Sequence, residues 1–319
     1  MSLRQYEYFL AAAEECNITR AAEKLFLSQQ ALSEQISRLE NEYGVKFFRR
    51  GRKMELTYEG SCMMQTAREI LNLDRSLRLQ FEDLSSNLHG EVSFGISFSR
   101  ARSFFPLVLN RFYKKYPQVS INLFSGNSDQ LRNGLLNGSL DLVMSYNYHS
   151  KTEVTCIPLG KERLFALVPC SLCPAVAGDD WQQKLSALEE GISIKALSRA
   201  PLITVNEQNY IYWILQSLFH KHQLSPNIIF ESNDLDMLSN LAKGGMGVAF
   251  LPELLVASRP ELIHPDGERT LYAFPLDDRS SDMSVVVAYK KSRYLSVLSQ
   301  ALIRELQEAY GDMTSSLEK

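Results

Sequence analysis

Residues 18–60 read ITRAAEKLFLSQQALSEQISRLENEYGVKFFRRGRKMELTYEG, and the spacing of polar and apolar residues along them decides the first domain. Asn17, just ahead of this stretch, is placed to cap a helix over TRAAEKLF, in which the small Ala21 and Ala22 permit close approach of a neighbour. Ser28 is placed to cap the next helix, with Leu27 and Leu32 at the positions of a hydrophobic staple. The connection between these two helices is then very short, which is the helix-turn-helix arrangement. Upstream, Leu3, Tyr6, Phe9, Leu10 and Ala13 recur at helical spacing and predict a first helix that buries one stripe.

The third helix sorts by face. Leu32, Ile36, Leu39 and Tyr43 follow one another at steps of four, three and four and are expected in the core, with Gly44 ending the helix. Gln29, Gln30, Ser33, Ser37 and Arg38 remain outside. Glutamine can donate to and accept from one adenine edge, serine suits either partner, and arginine suits guanine or phosphate. Directly afterwards Lys46, Arg49, Arg50, Arg52 and Lys53 stand without an acid between them, around a turn at Gly51. Residues 1–60 hold nine bases and nine acids, so the basicity is local, and local geometry is what phosphate contacts need. A merely solvated charge run would not explain why the bases follow a polar-faced helix.

The run 18–60 resembles, position by position and without gaps, the winged helix-turn-helix of LysR-type transcriptional regulators. Thr19, Ala21, Ala22, Leu25, Ser28, Gln29, Ala31, Leu32, Ser33, Ile36, Leu39, Glu40, Gly44, Phe48, Arg49, Leu56, Thr57 and Gly60 stand where the family's pattern has those residues. Two positions depart from it: Gln30 replaces a usual proline, and Glu34 a frequent base or amide. An acid there either pairs with Arg38 at i,i+4 or accepts from a cytosine amine. Over a domain of residues 1–60, the DNA-binding set is expected to be Thr19, Ser28, Gln29, Gln30, Ser33, Ser37 and Arg38, with Arg49, Arg50, Arg52 and Lys53 on the wing.

Residues 61–89 are expected to form a linker helix. Met63, Ile70, Leu77 and Leu84 repeat at seven, with Ala67, Phe81 and Leu88 at the alternating positions and Asp74 as a polar interruption. This pattern marks a seam for another helix, or else an amphipathic helix packed on its own chain. The resemblance implies the former, since the family's linker helices pair two chains. Met63, Ile70, Leu77, Phe81, Leu84 and Leu88 are the expected dimerisation residues, and pairing would set two readers on paired half-sites of double-stranded DNA.

From residue 90 the pattern alternates between strand and helix. EVSFGIS, VSINLFSG and LDLVMSY read as strands around SFFPLVLNRFYKKYP and DQLRNGLLNGS as helices, which argues for a parallel sheet covered by helices. A second such unit runs from RLFALVP to GVAFLP, and the strand MSVVVAYKK is expected to return to the first. The expected fold class is thus α+α/β: winged helix-turn-helix, linker helix and a two-lobed α/β domain over 90–319. Lobe I takes about 90–160 and 271–319, and lobe II about 161–270. This region resembles the family's effector-binding domain, which is itself similar to periplasmic solute-binding proteins.

Ligands of such folds bind beyond the carboxyl ends of strands. That rule selects Ser97, Ser99, Arg100 and Arg102 after the first strand, Tyr146 after LDLVMS, Asn206, Gln208, Asn209 and Tyr210 after PLITV, and Met246 between two glycines that bring backbone close to the cleft. These residues suit a small organic effector, anionic or aromatic, with Arg100 or Arg102 pairing a carboxylate. The long segment SLCPAVAGDDWQQKLSALEEGISIKALSR reads as a lid, an interface or decoration.

Composition bounds the rest. The chain has 319 residues, with 34 Lys+Arg against 37 Asp+Glu, and no apolar run of the roughly 18–20 residues that cross a bilayer. Its N-terminus lacks the basic start and apolar stretch of a signal peptide, so a cytoplasmic location without membrane association is expected. Five scattered cysteines fit a reducing compartment, and Cys170-Ser-Leu-Cys173 lacks a second pair for zinc. No metal, no cofactor and no catalytic residue is expected, because the histidines show no metal spacing and no hydrolase, phosphate-loop or dinucleotide fingerprint occurs. The expected protein is a sequence-specific DNA-binding transcriptional regulator, a homodimer or homotetramer, partnered by a small-molecule effector and by RNA polymerase.

Overall fold

The computed structural model describes residues 2–49, 51, 54–84, 89–146, 152–259 and 270–315. Two units divide the chain: one contains residues 1–87 with the short segments 136–139 and 292–296, and the other contains the remainder.

In the first unit, α1 (Leu3–Glu15), α2 (Ile18–Lys24) and α3 (Gln29–Tyr43) pack around Phe9, Ala21, Ala22, Leu32, Ile36 and Leu39. Asn17 accepts from the amides of Thr19 and Arg20, and Ser28 from that of Ala31, so both caps form as the sequence requires. Each contributes about 1 kcal/mol. Gly44 closes α3 at φ 67°, a left-handed conformation that a residue without a Cβ takes at least cost. Tyr43 departs from expectation: as the last residue of the helix it is half exposed, its ring packed edge-on with Phe47 instead of entering the core. A two-stranded antiparallel wing follows, β1 (Phe48–Arg49) with β2 (Glu55–Leu56), pairing Phe48 with Leu56. Then comes α4 (Tyr58–Leu84). Its first turns lie so close to the wing that a Cβ on Gly60 would overlap the Phe47 carbonyl oxygen.

The second unit begins with β3 (Gly90–Ile96), α5 (Phe98–Ser103), α6 (Phe105–Lys115), β4 (Val119–Ser125), α7 (Ser128–Leu136), β5 (Leu142–Tyr146) and β6 (Val154–Glu162). The chain then builds the other lobe: β7 (Leu164–Pro169), α8 (Cys173–Ala177), α9 (Leu185–Glu190), α10 (Ile194–Leu197), β8 (Leu202–Thr204), α11 (Tyr210–Lys221), β9 (Ile228–Glu231), α12 (Leu235–Lys243), β10 (Ala249–Pro252), α13 (Glu253–Ala257) and β11 (Leu271–Pro275). It returns through β12 (Met283–Lys290) and ends in α14 (Val297–Ser315).

Lobe I is a five-stranded sheet in the order β4-β3-β5-β12-β6. The β3 pairings are parallel, as expected, but β12 runs antiparallel to both β5 and β6, because the chain re-enters this lobe from the opposite end. The sheet is therefore mixed. In lobe II, β7 lies antiparallel between β10 and β11. The pairing of Leu271–Pro275 with β7 corrects the expected lobe boundary, since residues 271–275 belong to lobe II and the crossing follows them. The long segment after Cys170 also has a place. Cys173, Val176, Trp181, Ile192, Ile194 and Leu197 enter the lobe II core, and Trp181 packs edge-on against Tyr272 with ring centroids 5.2 Å apart.

Candidate nucleic-acid interface and effector cleft

Burial of Leu32, Ile36 and Leu39 turns the opposite side of α3 outward. Gln29, Gln30 and Arg38 are exposed there, with Ser33 and Ser37 half-buried beside them. Thr19 and Ser28 are exposed at the helix starts, and the Ser28 hydroxyl is already accepting from its own helix. Glu34 takes the first of its two expected partners: Arg38 Nη2 donates to it at 2.7 Å. Arg49 is exposed at the end of β1, while Arg50, Arg52 and Lys53 lie outside the described residues. Lys46 is engaged by Glu40 at 2.7 Å.

Glu40 ties the helix to the wing. Its buried carboxylate accepts from the Phe47 amide at 2.9 Å and, more weakly, from the Phe48 amide at 3.4 Å. One side chain of α3 therefore fixes where the wing starts. Thr57 closes the other end, its hydroxyl donating to the Lys46 carbonyl at 2.6 Å. Both residues belong to the pattern quoted above, but their long-range bonding is invisible to a periodicity.

The heptad seam of α4 splits into two parts. Met63 and Ala67 are buried in the core of their own unit and Ile70 is half-buried, so Met63 is corrected from a dimerisation residue to a core residue. The physical reason is the packing of α1 against the first half of α4, which Arg68 reinforces by an ion pair to Glu14 at 3.0 Å. Further along, Leu77, Phe81 and Leu84 are 48%, 62% and 81% exposed, and Leu73 joins them. Leu88 lies outside the described residues.

A cleft of about 210 Å³ opens between the lobes of the second unit. Of the expected residues, Ser97, Ser99, Arg100, Tyr146, Gln208, Asn209 and Tyr210 line it. The other three do not. Asn206 stands one layer back, accepting from Asn233 Nδ2 at 2.6 Å and from the Gln208 amide at 3.1 Å. Arg102 points to Asp236 at 2.9 Å. Met246 is part-exposed elsewhere, because the flanking Gly247 brings backbone against the Pro201 carbonyl instead of the cleft. The loop after β4, Gly126-Asn127-Ser128 with Gln130, also lines the site. The strand-end rule that selected Ser97 applies equally to β4 and would have found it.

Arg100 is the centre of a buried cluster. Its Nη2 donates to Glu162 Oε1 at 2.8 Å, and its guanidinium lies 4.1 Å above the Tyr146 ring. The Tyr146 hydroxyl donates to Glu162 Oε2 at 3.0 Å, and Tyr310 approaches Oε1 at 3.4 Å. Burial works against the charged guanidinium, but the carboxylate beside it prevails and raises its pKa. Burial raises the Tyr146 pKa well above the ordinary value, with Glu162 adding to it and Arg100 opposing, so the phenol stays protonated and donating. Tyr146 also stacks on Tyr210 of the other lobe, with centroids 5.6 Å apart. Arg100 and Arg102, the expected partners of an effector carboxylate, are each paired within the chain. Cys170 and Cys173 carry free thiols, with Cys173 buried, and among the described residues no group of metal-ligating side chains occurs.

A winged helix-turn-helix joined to a two-lobed α/β domain with a cleft defines a DNA-binding regulator with a ligand-binding half. The chain belongs to the LysR family of transcriptional regulators: residues 3–61 match the bacterial regulatory helix-turn-helix of the lysR family and residues 85–311 the LysR substrate binding domain. It is 28% identical over 319 residues to the uncharacterized HTH-type transcriptional regulator YwbI of Bacillus subtilis (strain 168), covering 98% of each chain. It is 26% identical over 261 residues to the HTH-type transcriptional regulator CysB of Haemophilus influenzae, covering 80% of this chain and 76% of that one. Its fold is similar to full-length OxyR from Pseudomonas aeruginosa (TM-score 0.71, 22% identity, 97% and 94% covered). It is also similar to full-length CbnR complexed with its target DNA (TM-score 0.59, 19% identity, 97% and 100% covered). The family consists of transcriptional regulators, and this chain is one of them rather than an enzyme. No helix among the described residues is long and apolar enough to cross a membrane.

Proposed function

We propose that the protein works in the cytoplasm as a homodimer or homotetramer that reads paired half-sites through α3. A small molecule entering the interlobe cleft would then bias its DNA-bound states and its action on RNA polymerase. The observation that carries the effector half is the cleft itself: polar side chains from both lobes, Ser99 and Tyr146 from one and Asn209 and Tyr210 from the other, converge on one cavity. A molecule bridging them prefers one relative position of the lobes, and an allosteric coupling needs only that preference, typically about 1–3 kcal/mol. Gln29, Gln30, Ser33 and Arg38 support the reading half, being held outward by a packed helix with base-compatible chemistry. The exposed Leu73, Leu77, Phe81 and Leu84 support pairing through the second half of α4.

The test uses a fragment selected by the full-length protein from a random DNA pool. Pools of small metabolites are screened for a change in affinity for that fragment. A responding pool whose effect disappears in Asn209→Ala, with unliganded DNA affinity unchanged, supports the proposal. Full response in Asn209→Ala would place the ligand elsewhere.

A further inference from the structure

Among the described residues twenty line the cleft, and of these Arg100 alone carries a formal charge. That charge is cancelled where it stands, by the fully buried carboxylate of Glu162 at 2.8 Å. Arg102 next to it is held by Asp236, which Arg259 also binds. Five helices begin at the cleft, and such ends ordinarily favour anions. The short α5 and α13, of six and five residues, have no side-chain cap, whereas at α7, α11 and α12 first-turn amides are bonded by the caps. Asn127 Oδ1 accepts from the Gln130 amide, Asn209 Oδ1 from that of Ile211, and Asp234 from those of Asp236 and Met237, the last with a negative charge that opposes an anion. What faces the cavity is otherwise serine, asparagine, glutamine, tyrosine and apolar surface.

Arg100 Nε is itself buried without an acceptor among the described residues, so the guanidinium offers the cavity no unbalanced charge. A carboxylate or phosphate would bring a second negative charge next to Glu162 and leave it without a countercharge in a desolvated site, which costs far more than burying a neutral polar group.

We propose that the cleft selects an uncharged small molecule bearing amide or hydroxyl groups, and that Glu162 rejects anions by masking Arg100. This deepens the effector reading above and rests on it.

Benzamide and benzoate, alike in shape and different in charge, test the proposal on the full-length protein at neutral pH, by ligand-observed NMR titration of wild type and Glu162→Gln. Wild type is expected to favour benzamide by about tenfold or more, and Glu162→Gln, which unmasks Arg100, to move the preference towards benzoate by a similar factor. Benzoate binding wild type as well as benzamide overturns the proposal, as does an unchanged preference in folded Glu162→Gln or the absence of binding by either probe. If Glu162→Gln does not fold, the wild-type comparison still decides, and the double variant Arg100→Met/Glu162→Gln, which removes both charges, should retain the benzamide preference. Binding of both probes that is indifferent to Asn209→Ala and Tyr210→Ala would sink the cleft as the ligand site, a failure distinct from that of its charge selectivity.

Discussion

Replacing Glu40 by alanine should loosen the wing without touching a single DNA-facing residue. The side chain is 4% exposed and accepts from the Phe47 amide at 2.9 Å and the Phe48 amide at 3.4 Å. Its removal strands two amides on buried residues, at about 1–3 kcal/mol each, with the longer bond at the low end. The ion pair to Lys46 adds less than about 1 kcal/mol, because that lysine is largely in water. The sum is about 2–4 kcal/mol of local stability. Glu40→Gln keeps an acceptor oxygen and should cost about 1 kcal/mol. Native-state hydrogen exchange at Phe47 and Phe48 reads this directly, with a fall in protection of roughly thirty- to several-hundred-fold for Glu40→Ala. Both tryptophans, Trp181 and Trp213, lie in the second unit, so their fluorescence in a urea titration is a built-in control that should not move. Wild-type protection in Glu40→Ala, or equal losses for the alanine and glutamine variants, would refute the view that this carboxylate anchors the wing.

Three further outcomes follow from other sites. Asp278 is held well below the usual carboxylate range, by Lys221 first and then by Ser280, burial opposing and His222 adding a smaller pull. A depressed folded pKa stabilises above the unfolded value of about 3.9 and the gain is lost as pH falls through the folded pKa, so the stability gap between wild type and Asp278→Asn should be full at pH 7 and should begin to shrink only below about pH 4 in urea titrations. Burial pushes the Cys173 thiol up to about 12, so iodoacetamide at pH 8 should modify the exposed Cys16 and Cys62 long before Cys173, as read by mass spectrometry. Leu77→Glu combined with Phe81→Glu should lower the sedimentation mass of the native oligomer while leaving hydrogen exchange in the Phe9–Leu39 core unchanged, because both side chains are outside that core.

The helix-turn-helix was legible because its caps and stripe are local: Asn17, Ser28 and Gly44 act within four residues of themselves, and Leu32, Ile36 and Leu39 need only a period. Tyr43 escaped that period because a helix's last turn has less core to face. Glu40 escaped because its partners lie seven and eight residues on, in a strand with its own logic. The heptads of α4 were visible but ambiguous, since Met63 on a core and Phe81 in the open satisfy the same repeat. In the cleft, strand-end positions located seven lining residues but not their electrostatics. Arg100 reads as an anion site until Glu162, 62 residues away, is placed against it. Pairing of that kind is tertiary, and spacing carries no trace of it.

The central claim is that α3 reads sequence, and genome-wide occupancy of the native protein beside the Gln29→Ala/Ser33→Ala variant tests it most directly. Discrete sites with paired half-sites, lost in the variant while salt-dependent background binding persists, are the expected result. Diffuse binding, or discrete sites that the variant occupies equally well, would contradict the assignment of α3 as the reading helix.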